Sequence, residues 1–255
     1  MRFTMDRSDT ATLISSNGNN SILNGLLVDN AFTTNRMISS FPAELLKKLR
    51  PYLHQIEVKA DDFLYQQDDE IDYIYFPETA IFSELHLLDD GRMVEVALTG
   101  RESAIGLLSI FRSDHVPNCV QAIQGGTVLR IESCMLNKLG REIPNFIEML
   151  YSAVEHYIRQ ISQKAVCNMY HSLEERFCTW LLMMSDRSDR RVLKLTHEQI
   201  ARTLGVYRPS VTFVAMDLRE RQLIDYSRGG IKILDPHQIQ DIACGCYEEL
   251  EGSYH

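Results

Sequence analysis

Three places in the sequence carry residue types and spacings that could do chemistry. Cys244-Gly245-Cys246 sets two thiols one residue apart, able to share a metal ion or close a strained disulfide, with His237 seven residues upstream. The plainer reading is a packed C-terminal helix, Ile239 to Leu250, in which cysteine acts as a small apolar side chain. Cys119, Cys134, Cys167 and Cys178 are scattered and form no CxxC pair, which fits a reducing cytoplasm. The second place is a set of carboxylate runs, Asp61-Asp62 and Asp68-Asp69-Glu70, which read as solvated loops. No GxSxG, P-loop, post-strand GxGxxG or HExxH motif accompanies them, so the pattern is not that of an enzyme. The third place is a basic stretch around Arg208.

That stretch stands out against the rest of the chain. The 255 residues hold 26 Lys and Arg against 35 Asp and Glu, a formal charge of −9 that on its face disfavours a polyanionic partner. The charge is unevenly spread. Residues 1–186 carry a net −9, residues 187–232 a net +5, and residues 233–255 a net −5. Salt screens charge within about 8 Å, so the local +5 says more about contact with phosphates than the total does.

The basic stretch also has an order that physics explains. Thr196 with Gln199 three residues later forms a capping box at a helix start. Ile200, Ala201 and Leu204 face inward, and Gly205 supplies the left-handed turn that ends the helix. A second helix opens near Arg208, with Pro209 in its first turn, where a missing N–H costs nothing. Val211, Val214, Ala215 and Leu218 form its buried stripe. Arg208, Ser210, Thr212 and Phe213 remain on other faces. A second helix projecting in this way fits a DNA major groove about 12 Å wide, where Arg208 can bond guanine bidentately. Ser210 and Thr212 suit phosphate or base contacts, and Thr196 caps the partner helix. Beyond lie Leu223 to Tyr226 and Ile231 to Leu234, a hairpin whose tip carries Arg228 and can lie along the phosphate backbone.

The elements that must position this unit come before it. Residues 1–34 are rich in Ser, Asn and Thr and are expected to be a mobile tail. Ser40 to Leu49 predicts a short helix stopped before Pro51. Seven short strands follow: 56–59, 63–66, 73–76, 81–87, 93–98, 119–124 and 127–131. Asp89-Asp90-Gly91 marks one hairpin, and Gly125-Gly126 reads as another tight reversal. From Ile143 the period changes to steps of three and four. Phe146, Leu150, Val154, Tyr157 and Ile161 form a stripe over about six turns, long enough to seam against a second copy. A further helix runs from Leu173 to Met184. No apolar run approaches the roughly 20 residues that span a bilayer, so no membrane is expected.

This sequence resembles the Crp/Fnr superfamily of bacterial transcription regulators over residues 36–246, most clearly in Leu195 to Leu218 and in the Leu223-Ile224…Gly229-Gly230-Ile231 wing. The resemblance implies an α+β architecture: an N-terminal antiparallel β jelly roll of the cyclic-nucleotide-binding kind (35–141, after the tail 1–34), a long dimerisation helix (142–167) and a C-terminal winged helix-turn-helix with an acidic tail (168–255). It implies a cytoplasmic homodimer that binds double-stranded DNA at a roughly palindromic operator and works with RNA polymerase. The alternative is a ligand-binding or interaction module whose C-terminal domain does not read DNA.

The departures from the family pattern are as informative. Where familiar members read Arg-Glu-Thr-Val-x-x-Arg, this chain reads Arg208-Pro209-Ser210-Val211-Thr212-Phe213-Val214. The cytosine-reading carboxylate and the second Arg are missing, so a different half-site is expected, with Phe213 against a thymine methyl. Cyclic-nucleotide binders carry a Gly-Glu pair and a phosphate-binding Arg, and neither is in place between Gly106 and Cys119. Gly106, Asn118 and Cys119 are the pocket candidates for an unidentified effector. The N-terminus lacks the cysteine cluster of the oxygen sensors, so no iron–sulfur cluster is expected. A haem on His86, His115 or His156 is a weaker reading than ordinary surface histidines. No cofactor and no metal are expected.

Overall fold

The computed structural model describes residues 32–111, 113–143, 146–227 and 230–251. Two short helices, α1 (Arg36–Ser39) and α2 (Ala43–Leu49), open it; α2 stops before Pro51 as expected, and a 3-10 turn, Arg50–Tyr52, follows. Seven strands follow: β1 (His54–Val58), β2 (Phe63–Tyr65), β3 (Tyr73–Pro77), β4 (Ile81–Leu87), β5 (Met93–Thr99), β6 (Cys119–Gln124) and β7 (Gly126–Glu132). They form two antiparallel sheets, ordered β1-β7-β3 and β2-β6-β4-β5. The β4–β5 hairpin turns at Asp90-Gly91 as expected, with Gly91 at φ +85.

Gly125-Gly126 behaves otherwise than expected. β6 pairs with β2 and β4, whereas β7 pairs with β1 and β3, so the glycine pair carries the chain from one sheet to the other. A Cβ on Gly125 would lie 2.7 Å from Val58 O, and one on Gly126 2.6 Å from Ala80 N. The corner admits only glycine because the backbones nearly touch.

The helices that follow are α3 (Ser133–Arg141), α4 (Phe146–Tyr170) and α5 (Leu173–Arg187). α3 is not among the expected elements, although Leu136, Leu139 and Ile143 keep steps of three and four with Asn137 and Lys138 on other faces. α5 begins at a Ser172/Glu175 capping box, and Phe177, Cys178, Trp180, Leu181 and Met184 are each buried almost completely. Then come α6 (His197–Leu204), α7 (Arg208–Glu220), β8 (Ile224–Ser227), β9 (Gly230–Ile233), α8 (Pro236–Ile242) and α9 (Cys246–Glu251). The expected single C-terminal helix is thus broken. At the break Cys244 N–H donates to Thr179 Oγ1 (3.1 Å).

One apolar core joins α5 to α9 with Ile81, Leu98 and Ile123 of the four-stranded sheet. A second core packs α1 to α4 against β3 and β7. Buried ion pairs reinforce the first. Glu102 holds Arg187 (2.8 Å), and Glu95 accepts from Lys164 Nζ (3.0 Å) and Trp180 Nε1 (3.1 Å).

Candidate nucleic-acid interface

The α6–α7 pair is fixed by its own sequence. Gln199 N–H donates to Thr196 Oγ1 (3.1 Å), and Thr196 N–H to Gln199 Oε1 (2.9 Å), which closes the box at the start of α6. Gly205 stands at φ +64, a conformation that favours glycine, and Val206 N–H reaches Ala201 O at 3.0 Å. Ile200, Ala201, Leu204, Val211, Ala215 and Leu218 bury the crossing. His197 bridges the two helices, with Nδ1 2.9 Å from Thr212 Oγ1 and its ring 4.5 Å from that of Tyr226. Burial, aided by the charge of Arg208, holds the His197 pKa below the ordinary imidazole value.

The predicted contact residues divide. Arg208, Pro209 and Ser210 are exposed at the start of α7, and Phe213 follows one turn on at 76% exposure. Tyr207 caps α7 without a side-chain hydrogen bond; in the first turn Pro209 has no N–H, and Ser210 N–H already bonds Tyr207 O at 3.0 Å. Thr212 is half-buried, and its hydroxyl is engaged by Arg208 O (3.1 Å) and His197. Thr196 is exposed, but its hydroxyl serves the capping box. Arg228 lies outside the described residues. Two further exposed residues lie beyond the sequence prediction: Tyr207 at 78% and Met216 at 57%. Met216 follows Phe213 by three residues, so helical spacing from Phe213 would have found it.

Cations on this unit differ in availability. Arg187 and Arg221 are in ion pairs, Arg190 bonds Gly125 O, and Arg202 bonds Gln121. Arg191, Lys194, Arg208, Arg219 and Lys232 are exposed, and among the described residues their side chains make no hydrogen bond or ion pair. These five can meet phosphates without breaking an existing bond. α6 itself leans on the four-stranded sheet, with Gln199 Nε2 3.0 Å from Asp61 Oδ1 and Arg202 3.1 Å from Gln121 Oε1.

Comparison with known proteins agrees with this geometry. Residues 175–242 match the family model for the Crp-like helix-turn-helix domain, and residues 55–142 that for the cyclic nucleotide-binding domain. The chain belongs to the Crp/Fnr family of transcription regulators. It is 26% identical over 215 residues to the transcriptional activator protein Anr of Pseudomonas protegens, covering 80% of this chain and 84% of that one. Its fold is that of FixK2 from Bradyrhizobium japonicum (TM-score 0.66, 18% identity, 76% of this chain and 98% of that chain). It is also that of the c-di-GMP responsive regulator CLP from Xanthomonas campestris (TM-score 0.63, 15% identity, 76% and 100%). This Crp/Fnr chain is therefore a transcription regulator with a helix-turn-helix DNA-binding domain. Among the described residues no helix is long and apolar enough to cross a membrane.

Two other expected sites of this regulator take definite places. A cavity of about 70 Å³ opens between the β domain and α4, lined by Gly106 and Asn118 among the pocket candidates but not by Cys119. Cys119 is buried beside it, its thiol 3.7 Å from Gln66 Oε1. The sequence reading missed Glu84, whose carboxylate lines this cavity and accepts from Tyr157 Oη at 2.7 Å. Burial raises the pKa of Glu84 and of Tyr157. On α4, Phe146 and Leu150 are buried in the chain's own core, and Tyr157 is half-buried against Glu84. The large apolar residues left in view are Ile147, Tyr151, Ile158, Val166, Met169 and Tyr170, with Val154 and Ile161 half-exposed.

Proposed function

We propose that this regulator binds operator DNA as a homodimer, with α7 of each subunit in the major groove of one half-site of a roughly palindromic sequence. The observation that carries the reading is the outer face of α7. Arg208, Pro209, Phe213 and Met216 stand exposed there, and among the described residues no carboxylate pairs with Arg208 or with Arg219 on the same helix. Arg208 reads guanine, and Phe213 with Met216 suits thymine methyl groups. Promoter control brings RNA polymerase as a further partner.

The seam between subunits runs along α4 through Ile147, Tyr151, Val154, Ile158, Ile161 and Ala165. Its steps alternate four and three, the spacing of a two-stranded coil. This is the sequence-derived stripe turned by one residue, sharing Val154 and Ile161.

Control enters through the cavity beside α4, because Tyr157 ties Glu84 in its wall to that helix. Its described lining holds a carboxylate and no Arg or Lys. A cyclic phosphate would there meet a carboxylate with no cation to offset it, so a neutral, largely apolar effector fits better.

Mobility shifts with fragments selected from genomic DNA test the reading. Tight, salt-dependent binding that Arg208→Ala weakens and makes less selective supports it. Equal, weak binding to every fragment, unchanged by Arg208→Ala, would sink it.

A further inference from the structure

Three cysteines and a histidine from distant parts of the chain converge where α4 ends. Cys167 and His171 lie one helical turn apart, with His171 N–H donating to Cys167 O at 3.2 Å. Cys244 and Cys246 come from the break between α8 and α9. The three Sγ atoms and one imidazole nitrogen all lie within 4.8 Å of one another. Cys167 Sγ is 3.5 Å from Cys244 Sγ, and Cys246 Sγ is 3.4 Å from His171 Nδ1. His237, the histidine nearest in sequence to the pair, is not part of the cluster.

The Cys167–Cys244 and Cys246–His171 separations are near the edges of a coordination shell around one point, and the remaining pairs, all within 4.8 Å, reach such edges with small side-chain shifts. With Zn–S near ~2.3 Å and Zn–N near ~2.0 Å, a tetrahedral site has S···S edges of about 3.8 Å and S···N edges of about 3.5 Å. A disulfide, by contrast, needs one sulfur pair at about 2.05 Å and gives no role to a third cysteine or a histidine. The surroundings serve a thiolate shell as well. Gln163 Nε2 lies 2.9 Å from Cys246 Sγ, and Thr179 Oγ1 3.0 Å from Cys244 Sγ. Such donors stabilise sulfur-bound negative charge around a metal. All three cysteines are buried and His171 is half-buried, so the imidazole side is the way in.

We propose that Cys167, His171, Cys244 and Cys246 form a closed tetrahedral Cys₃His site for Zn²⁺, which clasps the end of α4 to the α8–α9 junction. On binding, each thiol that is still protonated gives its proton to solvent, His171 binds as the neutral imidazole, and no electrons move. Four ligands leave no open position, so the role is structural. The proposal goes beyond gene regulation and holds whether or not the chain reads DNA.

The test uses the full chain, purified under reducing conditions without chelator. One zinc per chain is expected by elemental analysis. Cobalt added to the demetallated chain should give intense thiolate-to-cobalt absorption and the visible bands of a tetrahedral ion, both erased by zinc. Cys246→Ser and His171→Ala should weaken binding by more than the roughly 10–100-fold cost of losing an outer-shell partner. Cys134→Ser, which alters an exposed cysteine outside the cluster, should leave it unchanged. The wild-type titration stands even if a ligand variant fails to fold. A fully reduced wild-type chain that takes up neither zinc nor cobalt would overturn the proposal. So would a pale octahedral cobalt spectrum, or a Cys167–Cys244 disulfide as the only product in the presence of zinc.

Discussion

At the scale of single residues, the DNA-reading face shows which side chains are free and which are spent. Arg208 is exposed and unpaired, so Arg208→Ala should cost about 1–3 kcal/mol of specific affinity and relax selectivity at one base pair per half-site. Lys232 is exposed on β9, in the wing rather than on α7. Lys232→Ala should weaken binding to all sequences alike and lower the salt slope by about 1 for each phosphate that Lys232 neutralises. Competition binding over a range of salt separates the two. Arg208 was legible in the sequence because its exposure follows from local rules: a capping box, a left-handed glycine and a first-turn proline. The engagement of the Thr212 hydroxyl was not legible, because its partner His197 sits on the other helix and a side-chain bond across a crossing leaves no trace in spacing.

At the scale of elements, α4 shows what periodicity can and cannot tell. Its apolar steps of three and four located the helix, but two adjacent stripes share that period. Which one faces inward depends on where the β domain and α3 lie, and this is not a local property. Phe146 and Leu150 fill the chain's own core, and Ile158, 59% exposed, stands on the other stripe. Leu150→Ala should destabilise the fold by about 2–5 kcal/mol, read by denaturant unfolding. Ile158→Glu should leave a folded chain that no longer self-associates, read by sedimentation. A dimer that survives Ile158→Glu would move the seam elsewhere. The Gly125-Gly126 corner teaches the same lesson, since a turn signal marks a reversal but not which sheet receives the next strand.

At the scale of the whole molecule, the net charge of −9 hides a division of labour, and the buried titratable groups give that division a pH signature. Burial holds His156 and His197 below their ordinary value of 6.5, so folding disfavours their protonation. Their contribution to stability is complete above pH 6.5 and is lost as pH falls through their depressed native values. Glu84 acts in the opposite sense. Burial raises its pKa above the ordinary 4.5, so the native state keeps its proton longer, and stability falls as pH rises from 4.5 through the raised value. The two trends oppose each other between pH 4.5 and 6.5. Glu84→Gln keeps a hydrogen-bonding group beside Tyr157 and removes the acidic trend. Its Tm should therefore rise more steeply with pH across that window than the wild type's. Parallel melting curves in one buffer series decide the matter, and an identical slope in the two proteins would mean that the Glu84 carboxylate titrates as it does in water.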